Sequence, residues 1–281
     1  MAILLALASA LCYGTSDFTG GLVSRRYVAE VVSASVVAVE LLTSAVAVAF
    51  IYGGAPSAGS VEWGALSGIG IGGGSLMLYK GLAGGQMAVT ATLSAVISAA
   101  VPALAGLALG EHLAGLSAAG IVVAVPAIAL VSYQPAASRK PGLSLLAACG
   151  PGLLAGLGFA LSFISLDRAG TGSGAWPVLA GQAVGLAVQV PVALRRAGSC
   201  QAPRRRDAAV ILFSGVVAGS AGILYLAATG HGDLSIVAVV TSLYPAVTVL
   251  LARSVLAERW SAQQAAGLLV AAAAVTLISL G

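Results

Sequence analysis

GEHLAGLSAAG, residues 110–120, returns 147 positions later as AERWSAQQAAG, residues 257–267, and the same interval carries residues 67–132 onto 214–279 without a gap. Gly68 then meets Gly215, Gly72 meets Gly219, Gly85 meets Gly232, and Leu104-Ala105 meets Leu251-Ala252. Soluble solenoids repeat every ~20–50 residues, whereas a duplication of about half the chain in an apolar protein is the pattern of membrane folds whose ligand path runs between two related halves.

The rest of the sequence agrees with a membrane setting. Of 281 residues 59% are hydrophobic and only 8% charged, with a mean hydropathy of +1.04, so too few polar side chains exist to cover a soluble globule. Apolar runs of about 20 residues, rather than alternating runs of about 10, select helices over a barrel. They fall at 2–23, 29–52, 63–83, 87–109, 113–133, 142–166, 173–194, 208–229, 234–252 and 261–280. The fold expected is therefore an all-α membrane protein of ten transmembrane helices in two inverted five-helix repeats, residues 1–133 and 142–281, with a joint at 134–141. An odd number of spans per repeat inverts the second against the first, which is the geometry of alternating access. The first run lacks a basic leader and reads as a retained helix, not a secretory signal.

Twelve of the thirteen Lys and Arg lie in or beside the connections after odd-numbered helices; Arg168 is the exception. The bias of basic residues toward the cytoplasm places those connections inside and both termini outside. The net charge of +4 is thus a topology signal, and no nucleic-acid partner is needed to explain it. Trp63, Trp176 and Trp260 stand at helix starts, where interfacial anchors belong. Cys12, Cys149 and Cys200 have no CxxC spacing, so neither a metal site nor a cofactor is expected.

Two carboxylates cannot be placed at a membrane surface. Counted at 1.5 Å per residue, Asp17 is about 12 Å and Glu40 about 18 Å deep. An ionised carboxylate there costs at least about 2.5 kcal/mol, so it faces a wet cavity, pairs with a cation such as Lys80, or is protonated. A carboxyl group that loads and releases a proton would couple solute movement to a proton gradient. The second half has no matching acid and holds Ser162, Gln182 and Gln189 instead. Pro102 and Pro245 each remove a backbone donor inside a helix and are expected as hinges or kinks lining a cavity. Ser94, Ser98, Thr241, Ser242 and Tyr244 beside them supply hydroxyls, and Tyr13, Phe18, Phe159 and Phe163 aromatic walls. Substrate or proton binding is accordingly expected at Asp17, Glu40, Tyr13, Ser94, Ser98, Phe159, Ser162, Thr241, Ser242 and Tyr244. Glu111 and Glu258, in tight turns, read as helix-capping or surface ion-pair residues. The small-residue pairs Gly68/Gly72 and Gly215/Gly219 read as close helix contacts.

Residues 91–132, and more clearly Ser242-Leu243-Tyr244-Pro245 through Glu258-Arg259-Trp260 to Ser279, resemble the closing helices of the EamA-type domain of the drug/metabolite transporter superfamily. Tyr13-Gly14-Thr15-Ser16-Asp17-Phe18 similarly resembles the aromatic-Gly-Ser motif of that family's first helix. The resemblance implies two EamA domains and cytoplasmic termini, the reverse of what the basic residues indicate. Together these readings describe a non-enzymatic secondary carrier in the plasma (inner) membrane. It would move a small metabolite, amino acid or drug-like solute by alternating access, as proton-coupled efflux. Uptake of a sugar or similar nutrient is the alternative, and an intramembrane enzyme or a channel the more distant one. The expected partners are a small-molecule substrate, protons and the lipid bilayer. A monomer suffices, and a homodimer is possible.

Overall fold

The computed structural model describes residues 1–83, 87–132, 145–198, 202–256 and 261–280, and among them every regular element is a helix. The joint at 134–141, Cys200, Glu258 and Trp260 lie outside the described residues. In chain order the helices are α1 (Ala2–Ser24), α2 (Ala29–Phe50), α3 (Ala58–Ala83), α4 (Met87–Ala108), α5 (Gly115–Ser132), α6 (Leu145–Ala169), α7 (Trp176–Ala197), α8 (Arg205–Thr229), α9 (Leu234–Thr241), α10 (Tyr244–Leu256) and α11 (Ala262–Leu280). Among the described residues seven stretches are long and apolar enough to cross a membrane, with two shorter apolar helices besides; α3, diluted by glycine, is not among the seven. Leu4, Leu42, Phe50, Leu154, Leu194 and Leu269 all point outward. Exposed large apolar side chains on so many helices suit a lipid surround.

Among the described residues the ten apolar runs form eleven helices because the ninth is divided. Pro245 has no N–H to give to the Thr241 carbonyl four residues earlier. The chain tightens there: the Ser242 N–H donates to Ala238 O at 2.9 Å and the Leu243 N–H to Val240 O at 3.2 Å. The helix then restarts with the Ala246 N–H on Leu243 O. Pro102, one turn further along its own run, stays inside an unbroken α4.

The most extensive packing joins helices from before residue 133 to helices after it: α3 to α6 and α7, α5 to α11, α1 to α8, α4 to α6 and α9, and α2 to α7 and α8. The two parts of the chain are interlaced. Backbone contact makes this possible. A Cβ added at Gly68 would run into the Gly181 carbonyl and the Val184 side chain, and one at Gly72 would come within 2.8 Å of the Gly185 carbonyl, so α3 lies directly on α7. Gly215 and Gly219 bring α8 equally close to Val39 and Thr43 of α2. Gln189 of α7 donates across to Gly72 O at 3.2 Å.

Gly68→Leu is expected to destabilise the protein by about 1–3 kcal/mol through overpacking. Gly59→Leu, at an exposed position with nothing within 4 Å, should be close to neutral. Thermal unfolding in detergent compares them, and equal shifts would contradict backbone-to-backbone packing of α3 on α7.

Candidate functional site

Four helices turn one face each toward a common space. On α1 the positions are Tyr13, Ser16 and Asp17; on α2 they are Ser33, Val36, Val37 and Glu40. On α3 they are Ile71, Ser75, Leu78 and Tyr79, and on α6 Phe159, Ser162 and Phe163. Each set follows the i, i+3, i+4, i+7 spacing of a single helix face. Ala218 of α8 and Tyr244 of α10 close the ring around a cavity of ≈ 50 Å³. At about 10–15 Å³ per water centre, that space holds a few waters. Both parts of the chain contribute to its wall.

Glycines again set the distances. A Cβ at Gly219 would sit 3.2 Å from the Glu40 Cα, and one at Gly70 would sit 2.9 Å from the Ser162 backbone nitrogen. Gly74 lies against the Phe159 ring and Gly20 against the Tyr79 hydroxyl. Gly14 admits the Tyr244 carbonyl and the Val247 side chain, and the Thr248 hydroxyl donates to Gly14 O at 3.1 Å, tying α10 to α1. On one side the cavity floor is aromatic: Tyr13 approaches Phe163 at 6.4 Å between centroids, and Phe163 stacks on Tyr225 at 4.4 Å. Tyr225 is fully buried and donates its hydroxyl to Phe163 O at 3.2 Å. A smaller apolar cluster, Val23, Ala29, Val32, Val36, Tyr79 and Ile211, shares Val36 and Tyr79 with the cavity wall.

Glu40 is 7% exposed and Asp17 is partly open to the cavity. Among the described residues neither has a cation beside it. The ion pairs formed among the described residues are Arg26–Asp207 at 3.3 Å and Arg196–Glu30 at 3.9 Å, both at the end of the bundle where the basic connections gather. Lys80 takes no part in either and does not line the cavity, so pairing with Lys80 is not how the buried acids are accommodated. Gln182 of α7 is a side-chain hydrogen-bond partner of Glu40, and its carbonyl oxygen is unpartnered. Ser33 Oγ, Ser162 Oγ and the Tyr244 hydroxyl, all on the wall, are also buried and unpartnered.

Of the positions expected from sequence, Asp17, Glu40, Tyr13, Phe159, Ser162 and Tyr244 meet in this cavity. Ser94, Ser98, Thr241 and Ser242 do not. They are fully buried where α4 meets α9, behind Tyr244, with Ser98 Oγ 3.3 Å from Ser242 Oγ. Pro102, Pro245 and Phe18 are buried away from the wall as well. Tyr79, Ser16, Ser33 and Ser75 were missed, although their helical spacing from Ile71, Tyr13 and Glu40 was available to find them.

Residues 144–280 match the EamA-like transporter family. On that match the second part of the chain is an EamA-like transporter domain. The chain is thus a multi-pass membrane transporter of small solutes. No curated protein matches its sequence. A solved structure described as "Crystal structure of protein" superposes with a TM-score of 0.73, covering 99% of this chain and 96% of its own, at 17% identity, which establishes a shared fold.

The Gly-Glu turn after α4 has a definite task in this transporter. Gly110, at φ 95°, ends α4; its N–H donates to Leu107 O and that of Glu111 to Gly106 O. Glu111 is thereby aimed at the start of α9. Its Oε1 accepts the Leu234 N–H at 2.7 Å, and its Oε2 accepts the Ser235 N–H at 3.1 Å and the Ser235 hydroxyl. The carboxylate caps a helix, and the helix belongs to the other part of the chain. Glu111→Ala should cost about 1–2 kcal/mol, whereas Glu62→Ala on the exposed face of α3 should cost almost nothing. Unfolding midpoints in detergent test this; an unchanged midpoint for Glu111→Ala would show that the cap carries no stability.

Proposed function

We propose that this EamA-family transporter is a secondary carrier in which two inverted five-helix repeats, 1–133 and 142–281, rock about the central cavity. It exports a small metabolite or drug-like solute across the plasma membrane in exchange for protons. The observation that carries the reading is a cavity walled by both parts of the chain and containing two carboxylates with no cation among the described residues.

The packing pattern supports the repeat. With α9 and α10 counted as one span, exchanging each of the first five helices for its counterpart turns α3–α6 into α8–α1, α3–α7 into α8–α2, and α4–α6 into the α9 and α10 contacts with α1. The pairs α2–α7, α4–α9 and α5–α11 map onto themselves. A pseudo-two-fold relation of this kind permits two equivalent states, each open to one side. Different apolar groups flank the cavity, the Tyr13–Phe163–Tyr225 rings and the cluster around Tyr79, and would serve as its two gates. In the exchange cycle an uncompensated carboxylate cannot cross low-dielectric surroundings cheaply, so Asp17 and Glu40 travel with a proton or with a solute. The titratable groups facing them are Tyr13, Tyr79 and Tyr244, and Gln182 adds a neutral partner. The bases gathered at one end, Arg25, Arg26 and Arg204 among them, favour a cytoplasmic side for that end.

Proteoliposomes with an imposed pH gradient test the coupling over a panel of candidate solutes. Wild type should accumulate a transported solute against its gradient, and Asp17→Asn and Glu40→Gln should lose accumulation. Retained gradient-driven flux in both variants would contradict proton coupling through these carboxylates.

A further inference from the structure

We propose that the cavity selects organic amines in their cationic form, carried on an aromatic or aliphatic body, over amino acids, carboxylates and sugars. The inference rests on the carrier reading of the cavity and adds the class of solute. Its ground is the charge and hydrogen-bond inventory of the wall. Asp17 and Glu40 bring up to two negative charges, and among the described residues no Lys, Arg or His lines the space. Ser33 Oγ, Ser162 Oγ and the Tyr244 hydroxyl, buried and unpartnered, stand ready to accept from the N–H groups of an ammonium. Tyr13, Phe159, Phe163 and Tyr79 offer ring faces to a cation and an apolar bed to the body it is attached to.

A solute carboxylate would find the opposite. It would enter beside two carboxylates with no guanidinium or ammonium to receive it. The start of α10, which opens onto the cavity at Tyr244, does not substitute for a base: Pro245 has no N–H, and that of Ala246 is already given to Leu243 O. A zwitterionic amino acid therefore gains at its ammonium end and loses at its carboxylate end. An uncharged sugar would leave the acids uncompensated. A monoamine supplies the charge that a proton supplies in its absence, so loading the amine and loading the proton are alternatives at one site.

Four ligands sharing a phenyl body separate the cases: 2-phenylethylamine, phenylalanine, 3-phenylpropanoate and 2-phenylethanol. Their binding to the purified full-length protein in lipid nanodiscs is measured by isothermal titration calorimetry between pH 6 and pH 8.5. The amine should bind about tenfold or more tighter than the other three, the worth of one charge-assisted contact. Its affinity should fall toward pH 6, as protons compete, and drop about tenfold or more in Asp17→Asn or Glu40→Gln. Equal or tighter binding of phenylalanine, propanoate or alcohol by wild type overturns the proposal, as does the absence of amine binding; because these arms use wild type, they do not depend on a variant folding. Proton-driven flux of phenylalanine would sink the amine preference alone. Tight amine binding without gradient-driven flux of any solute would sink the carrier reading and leave the amine site standing.

Discussion

Two carboxylates held inside a lipid-embedded bundle, with no cation beside them among the described residues, impose the main constraint on this transporter. Charge at that depth is tolerated where a wet space or a mobile positive group compensates it, and burying it unpaired costs several kcal/mol or more. Among the described residues no ion pair holds Asp17 or Glu40, although arginines at the bundle end are paired with Asp207 and Glu30. The protein has instead built a small cavity around them, lined by unpartnered hydroxyls. An arrangement that is incomplete without a visitor is what a carrier needs, because a fully satisfied site would gain nothing by binding and lose nothing by release.

The cavity exists because backbones approach closely around it. Gly219 lets α8 lie against the Cα of Glu40, Gly70 and Gly74 let α6 present Ser162 and Phe159, and Gly20 leaves room for the Tyr79 hydroxyl. Small faces have a second consequence. Glycine surfaces lack the interdigitated side chains that lock one helix register against another, so helices packed this way can shift at modest cost. Stiffness is supplied at the rim, where Glu111 caps α9 and Thr248 ties α10 to α1.

Much of this was legible in the chain. The duplicated interval, the apolar runs and the burial of Asp17 and Glu40 follow from composition and spacing, because hydrocarbon leaves few options for a backbone or a charge. Other features depend on relations between distant segments. Ser94, Ser98, Thr241 and Ser242 carry suitable hydroxyls, but whether a serine faces a cavity or a neighbouring helix depends on helix rotation, and they pack behind Tyr244. That Glu111 caps a helix could be expected from its turn; which helix could not, because α9 begins more than a hundred residues later. The break at Pro245 differs from the unbroken α4 at Pro102 by one turn of proline placement, a difference visible in sequence but with a result decided by packing.

The central claim is that the cavity opens at one end while it closes at the other. Spin labels at Arg25 and Lys80 report the α1–α3 separation at the basic end, and labels at Arg168 and His231 report the related α6–α8 separation at the opposite end. Pulsed electron–electron double resonance in nanodiscs, at low and high pH, should give two distances for each pair, one lengthening in population as the other shortens. A single distance for both pairs, unmoved by pH, would contradict the account.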